Sequence, residues 1–380
     1  MDAAANNSNL RVEKPKEEVN GRNAEAESIL VTNRVICVSL PSLSSKPIKV
    51  TAATPEEIIP VVQKANLSWV NYTSTDLETD GVKVAQQFGF SEGMIPTLLK
   101  GYYANYEDRE VEVGVMVPAV RVDGLEMNVY PLIILARRNL ILTLHSVEVT
   151  RIIQFSRYAD TYLRKLPEVM PQEDKLSMML IRILDENNTK NFEQLRNIEE
   201  QADAMSEKMI DPTSPRTAVG RQIYEMKHTL ITYLNTLWRT LDVVNTLRYG
   251  DAEVITDNQK VLNRFGLLAD ELNRQIELSE HMSEVLASGL EVLQSLYNNQ
   301  LQILNNRMSL TMTWLTILGT AVLVPNTLAT IFGFVFNLEW QMVIWTMTII
   351  TFATVGSTLL AYWWVKKRVN LPRRPDEPNS

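Results

Sequence analysis

From Ser309 onward the mixing of polar and apolar positions stops. Ser309 to Leu338 is 30 residues without a charged side chain, and Trp340 to Val365 is another 26. Glu339 is the only charge between Arg307 and Lys366. About 20 mostly apolar residues cross a bilayer core as a helix, so the pattern predicts transmembrane helices at 309–337 and 340–365. Trp314, Trp340, Trp345, Trp363 and Trp364 fall near the expected interfaces, where tryptophan is enriched.

Upstream the pattern is of two kinds. Residues 29–146 read as a cytoplasmic α/β domain. Leu30 to Ser39 and Ile48 to Ala52 are strand-like, and Pro55 to Ala65 is helical with Thr54 as its N-cap. Val111 to Val122 alternates and predicts a strand broken near Pro118; Tyr130 to Leu135 and Leu140 to His145 predict a hairpin. Residues 147–308 carry apolar positions at three- and four-residue spacing, which predicts helices over Val147–Lys165, Gln172–Asp185, Thr189–Met209 and Thr217–Thr246. Asp251 to Val324 holds no proline. It predicts one stalk helix of roughly 75 residues, on the order of 110 Å at 1.5 Å per residue, with Gly266 and Gly289 as possible kinks. No helix of that length is stable without partners.

Composition changes this picture in three ways. The mean hydropathy of −0.09 and charge of −8 describe a soluble protein on average, which hides the apolar end. Residues 1–308 carry a net −10 and the remainder +2, so nucleic acid, which needs a basic footprint, is excluded as a partner. The single cysteine, Cys37, and the scattered His145, His228 and His281 exclude a disulfide framework and a Cys/His metal module. No phosphate loop or nucleophile motif is present, so an enzyme is not expected, nor a tightly bound cofactor. Arg307, Lys366, Lys367, Arg368, Arg373 and Arg374 flank the hairpin and none lies in its turn. The positive-inside rule then places both termini in the cytoplasm of a cell-membrane protein. Residues 1–28 are polar and expected to be disordered, and 366–380 form a basic tail.

Several short segments carry a family resemblance. They are Ser68-Trp69-Val70, Val84-Ala85-Gln86-Gln87-Phe88-Gly89, and Arg138-Asn139-Leu140-Ile141-Leu142-Thr143. The most specific group is Asn306-Arg307-Met308, Met312, Leu315-Thr316-Ile317, Pro325 and Ile331-Phe332-Gly333. With the order of elements, these resemble the CorA family of divalent-cation channels over most of the chain. The resemblance implies an α+β membrane protein with an N-terminal α/β domain, a stalk helix, two C-terminal spans and a homopentameric assembly. It implies transport of a divalent cation, with Mg²⁺ first and Co²⁺, Ni²⁺ or Zn²⁺ as alternatives, the ion being substrate rather than cofactor. One departure matters. The family signature at the outer end of the pore helix is Gly-Met-Asn, whereas Phe334-Val335 follows Gly333 here and Asn337 lies two residues beyond the expected position.

Carrying the family pore face over gives Ser309, Met312, Thr316, Gly319, Leu323, Asn326, Thr330 and Gly333 as pore-lining positions, at spacings of 3 and 4. Such a stripe suits a close helix bundle. The same small residues also suit a packing seam, and both readings stand at this point. Val335, Asn337 and Glu339 would lie at the outer mouth, where a ring of Glu339 side chains would attract cations. Asp251, Glu253, Asp270 and Glu271 are weak candidates for regulatory metal binding near the base of the stalk. The competing function is a non-conducting membrane scaffold or metal sensor anchored by the hairpin.

Overall fold

The computed structural model describes residues 34–43, 45–210, 216–250, 252–335 and 340–368. The expected N-terminal segment, Leu30 to Asn33 of the first expected strand, and the tail beyond residue 368 lie outside them. The strands are β1 (Val35–Leu40), β2 (Ile48–Ala52), β3 (Leu67–Thr73), β4 (Asn105–Asp108), β5 (Glu112–Asp123), β6 (Glu126–Arg137) and β7 (Leu140–His145). They form one sheet in the order β2-β1-β3-β7-β6-β5-β4. Only the β3–β7 pair is parallel. The helices are α1 (Ile59–Lys64), α2 (Val82–Gln87), α3 (Met94–Leu99), α4 (Thr150–Phe155), α5 (Ala159–Lys165), α6 (Gln172–Asn188), α7 (Asn191–Ile210), α8 (Arg216–Tyr249), α9 (Gln259–Val335) and α10 (Trp340–Arg368).

Side chains alternate across a strand, and both faces of the central strands are apolar. On one face Val35, Cys37, Val70, Tyr72, Leu140, Leu142 and Leu144 pack with Ile58, Val62, Phe88, Met94 and Leu98 from α1–α3 and their flanks. Gly114 of β5 is required there: an added Cβ would sit 2.6 Å from the Met94 sulfur and 2.9 Å from a Leu98 methyl. The opposite face holds Trp69, Asn71, Ile141, Thr143 and His145, all buried. Trp69 stacks on Phe155 of α4, ring centroids 5.0 Å apart.

That second face contains a buried polar strip. Trp69 Nε1 donates to Thr143 Oγ1 (3.2 Å), which donates to Asn71 Oδ1 (2.7 Å). His145 Nδ1 lies 2.7 Å from the Ser146 carbonyl and Nε2 2.9 Å from Asn71 Oδ1; both are acceptors, and the neutral ring has one N–H to give to one of them. Burial pushes the His145 imidazole down to about 4, because the charged ring would lose its water without gaining a counter-ion.

Four local expectations are corrected. Pro55 to Ala65 is not one helix: Pro55–Glu57 is a 3₁₀ turn and α1 begins afresh at Ile59. Pro60 has no N–H, so it fits a first turn and not a helix interior. Thr54 is extended before the turn and makes no side-chain bond to its backbone, its hydroxyl reaching Glu57 Oε1 (3.2 Å) instead. The strand at Pro118 is unbroken, with Pro118 opposite Pro131 in the β5–β6 ladder. The pairing of β5 with β4 stops at Met116 and that of β6 with β7 at Ile133, so each proline lies where its strand has no neighbouring strand on the other side. The Pro118 carbonyl points to that free side and accepts from Asn187 Nδ2 (2.8 Å). Val147 to Lys165 is two helices, α4 and α5, separated at Ser156, whose hydroxyl bonds back to the Ile153 carbonyl (2.7 Å).

The fourth correction sets the start of the long helix. It begins at Gln259, not Asp251, and Asp251 itself lies outside the described residues. Residues 252–258 are held against α6 by a buried acid, Asp174. Its Oδ1 accepts from the Thr256 hydroxyl and its Oδ2 from Asn258 Nδ2 (2.7 Å). Asn258 Oδ1 then accepts from the Lys260 N–H (3.1 Å), which caps one of the orphan donors of the first turn. From there α9 runs 77 residues and continues through Pro325.

The chain separates into two compact units, Met1–Leu290 and Glu291–Ser380. The first holds the sheet, α1–α8 and the beginning of α9. The second holds the rest of α9 and α10.

Candidate functional site

Both helices of the second unit contain windows long and apolar enough to cross a membrane, with mean hydropathies of 1.5 and 1.7. Their side chains are mostly exposed in the single chain. Leu315, Leu318, Val322 and Leu323 of α9 and Met347, Phe352, Leu359 and Leu360 of α10 are all more than half exposed. A water-soluble monomer does not present this much contiguous apolar surface.

Each helix nevertheless has one covered face. Between residues 309 and 331 of α9 the less exposed positions are Leu310, Thr313, Ile317, Ala321, Val324, Pro325 and Leu328, which apart from Pro325 follow one another at spacings of 3 or 4. On α10 they are Val343, Thr346, Ile350, Ala353, Thr354, Ser357 and Thr358. The described residues of this unit belong to these two helices alone. Small residues on the α10 side permit the close approach that membrane helices need.

The stripe of sequence-identified positions lies elsewhere on α9. Ser309, Met312, Thr316, Gly319, Leu323, Asn326 and Thr330 are all exposed. At 100° per residue the mean direction of this stripe is roughly 140° away from the covered face. A Cβ added to Gly319 would meet nothing within 4 Å. The stripe is therefore a free, exposed face of the helix in the single chain. Gly333 and Val335 fall within α9; Asn337 and Glu339 of the expected outer mouth lie outside the described residues.

The hydroxyls on this face have a defined polarity. Thr316 Oγ1 donates to the Met312 carbonyl (2.9 Å) and Thr330 Oγ1 to the Asn326 carbonyl (2.7 Å). With its proton committed to the backbone, each hydroxyl presents only lone pairs outward. A hydrated cation presents water hydrogens, so outward acceptors complement it. Asn326 stands between them on the same face, one residue after Pro325. That proline leaves the Ala321 carbonyl without its helical donor.

The expected regulatory acids do not converge. Among the described residues no three His, Cys, Asp or Glu side chains are grouped to hold a metal. Glu253 lies in the turn before α9, and Asp270 is exposed. Glu271 is half-buried; burial, then the nearby Asp185 carboxylate, hold its carboxyl above the usual range. What the linear reading missed is the anchoring cluster of Asp174, Thr256 and Asn258. Nothing in the sequence pairs positions more than 80 residues apart.

The chain matches the family model described as CorA-like Mg2+ transporter protein over residues 64–367. No curated protein matches it. Among solved structures, the complete CorA magnesium transporter of Methanocaldococcus jannaschii aligns with TM-score 0.64 and 18% identity, over 88% of this chain and 98% of that one. The soluble domain of the same organism's CorA aligns with TM-score 0.52 and 19% identity, over 69% and 96%. The full-length CmaX protein aligns with TM-score 0.52 and 17% identity, over 88% and 98%.

Proposed function

The chain belongs to the CorA-like Mg2+ transporter family, and from that premise we propose that it forms a homopentameric divalent-cation channel whose pore is lined by the free face of α9. Two spans per chain cannot enclose an aqueous path, so several copies must surround one, and closed cyclic symmetry is the expected solution. The observation that carries the reading is the face itself. The exposed face of α9 bears Thr316, Asn326 and Thr330 among apolar positions at Met312 and Leu323. The apolar rings suit constrictions that close by dewetting, and the polar rings accept hydrogen bonds from the ion's water. Mg²⁺ holds its water tightly and passes along such acceptors more readily than into a dehydrating cage. With Val335 where the signature asparagine is expected, Asn326 and Thr330 take over part of the hydration work. The ion is Mg²⁺ or a related divalent cation, and both termini lie in the cytoplasm.

The test is ion uptake into liposomes by the assembled oligomer, with Mg²⁺, Co²⁺, Ni²⁺ and Zn²⁺ in competition. Saturable divalent uptake supports a channel; its absence from correctly assembled protein supports the scaffold reading, which the altered signature motivates. Val335→Asn is expected to be tolerated and to shift selectivity toward Mg²⁺. Orientation is checked by cysteine labelling after Cys37 is replaced. Asn337→Cys should react with an impermeant reagent from outside and Ser380→Cys should not; the reverse pattern contradicts the topology.

A further inference from the structure

A cavity of about 330 Å³ opens within the globular unit between the β5–β6 hairpin, α4 and the junction of α6 with α7. Its charged lining is Arg121, Arg151 and Lys190 against a single carboxylate, Glu148. That is an unusual excess of positive charge in a region, residues 1–308, that carries −10 overall. The walls are fixed by side chains already committed to backbone. Asn187 Nδ2 donates to the Pro118 carbonyl (2.8 Å) and Gln194 Nε2 to the Val120 carbonyl (3.3 Å).

The cations differ in how far they are already satisfied. Arg121 is paired with Asp123 (2.9 Å), both about half exposed, so that pair is weak and exchangeable. Lys190 is exposed at the rim. Arg151 is half-buried and makes no ion pair among the described residues. Burial holds its guanidinium below its ordinary value, opposed by Glu186, Glu193 and Tyr158 acting through space. Glu186 is already occupied by Arg182 and the Tyr158 hydroxyl, and Glu193 makes no contact with Arg151 close enough to count as an ion pair. A partly buried guanidinium that lines a cavity and has no ion-pair partner among the described residues can take a phosphate bidentately.

We propose that this cavity binds the phosphate group of a small soluble phosphate ester, with Arg151 as anchor and Lys190 and Arg121 closing over it. The volume lies at the low end for ligand pockets, which suits a small ester and excludes a polymer. Val120, Val149 and Tyr130 offer the remainder of such a molecule an apolar wall. This site is independent of the pore, so its failure leaves the transport reading untouched.

The experiment is calorimetric titration of the full chain in detergent with glycerol 3-phosphate, with glycerol as the uncharged control. Saturable binding of the ester and none of glycerol is expected. It should tighten as pH rises through the second phosphate pKa near 6. Arg151→Ala should weaken it at least tenfold, and Arg151→Lys should fall between because it keeps the charge without the fork. Lys190→Ala, at an exposed position, should weaken it severalfold and decides the matter if Arg151→Ala fails to fold. No saturable binding, or binding unchanged in both alanine variants, overturns the proposal. So does a response to phosphatidylglycerol vesicles without one to the soluble ester.

Discussion

The two ends of α9 share one secondary structure and obey opposite rules. In the first turns Val261, Phe265, Leu268, Leu272, Ile276, Met282 and Leu286 are buried at helical spacing. Further along, Leu301, Ile303, Leu304, Met308, Met312, Leu315, Leu318, Val322 and Leu323 are 41–69% exposed in the single chain. The backbone hydrogen bonds are the same, so the difference lies in what surrounds the side chains. The first end has a core to face and pays attention to one direction only. The second exposes large apolar side chains on several sides, beside one polar stripe, and lipid or further copies of the chain must cover them. Polar groups follow the same division. Asp174, Asn71 and Thr143 find partners on other elements, while Thr316 and Thr330 bond back to their own helix, the arrangement that survives without water.

The largest expected break in this comparison is at the free face. Asn326→Leu should abolish ion uptake per assembled oligomer, because apolar side chains at that level close a dewetted ring. Asn326→Ser should retain it. Full uptake through assembled Asn326→Leu protein would move Asn326 out of the pore and leave the stripe as a packing surface. The second test compares equal truncations on the two kinds of surface. Leu142→Ala, in the sheet core, should destabilise by about 2–5 kcal/mol. Leu318→Ala, exposed on α9, should change the stability of the globular unit by less than about 0.5 kcal/mol. Denaturant unfolding followed by near-ultraviolet signals of the globular unit reads both.

A smaller effect concerns the buried polar strip. His145 is held at about 4 in the fold against 6.5 when free. As pH falls below 6.5 the unfolded chain takes up a proton that the folded chain refuses. Stability is therefore unaffected above about 6.5 and lost progressively down to about 4, by about 3 kcal/mol in all. His145→Gln should flatten the pH dependence of melting in that window; an unchanged slope would show that other groups set it. Smallest is the cap of the long helix. Asn258→Ala removes both the Lys260 cap and one bond to Asp174. It should lower stability by about 1–2 kcal/mol, with faster amide exchange confined to the first turns of α9.

Strands and helices with strong periodicity were readable residue by residue. β2 falls where the pattern places it, and the hairpin of β6 and β7 is present, though β6 runs from Glu126 to Arg137 and leaves a turn of two residues instead of the expected four. Where the expectation and the fold differ at Pro60, Pro118 and Ser156, the residue is read without its neighbours; the start of α9 is set by contacts with Asp174, and the short β4 and α3 carry too little periodicity to be read at all. Pro118 looks like a strand breaker until β4 is seen to stop short of it, and Pro60 is hidden inside an apolar run that reads as one helix. The pore stripe was named from the sequence, but whether it is covered or free in the single chain had no linear signal.

The sequence by itself determined that the chain ends in two long stretches without charge, separated by Glu339 alone, because charge is a property of each residue and needs no partner to be counted. It likewise determined the long proline-free helix and the family to which the chain belongs. The tertiary structure decided which face of that helix is free, where the helix is anchored, and that Arg121, Arg151 and Lys190 share a cavity. Those depend on distances between residues up to 84 apart in sequence, as for Asp174 and Asn258, and such distances are fixed only when the sheet and its covering helices pack.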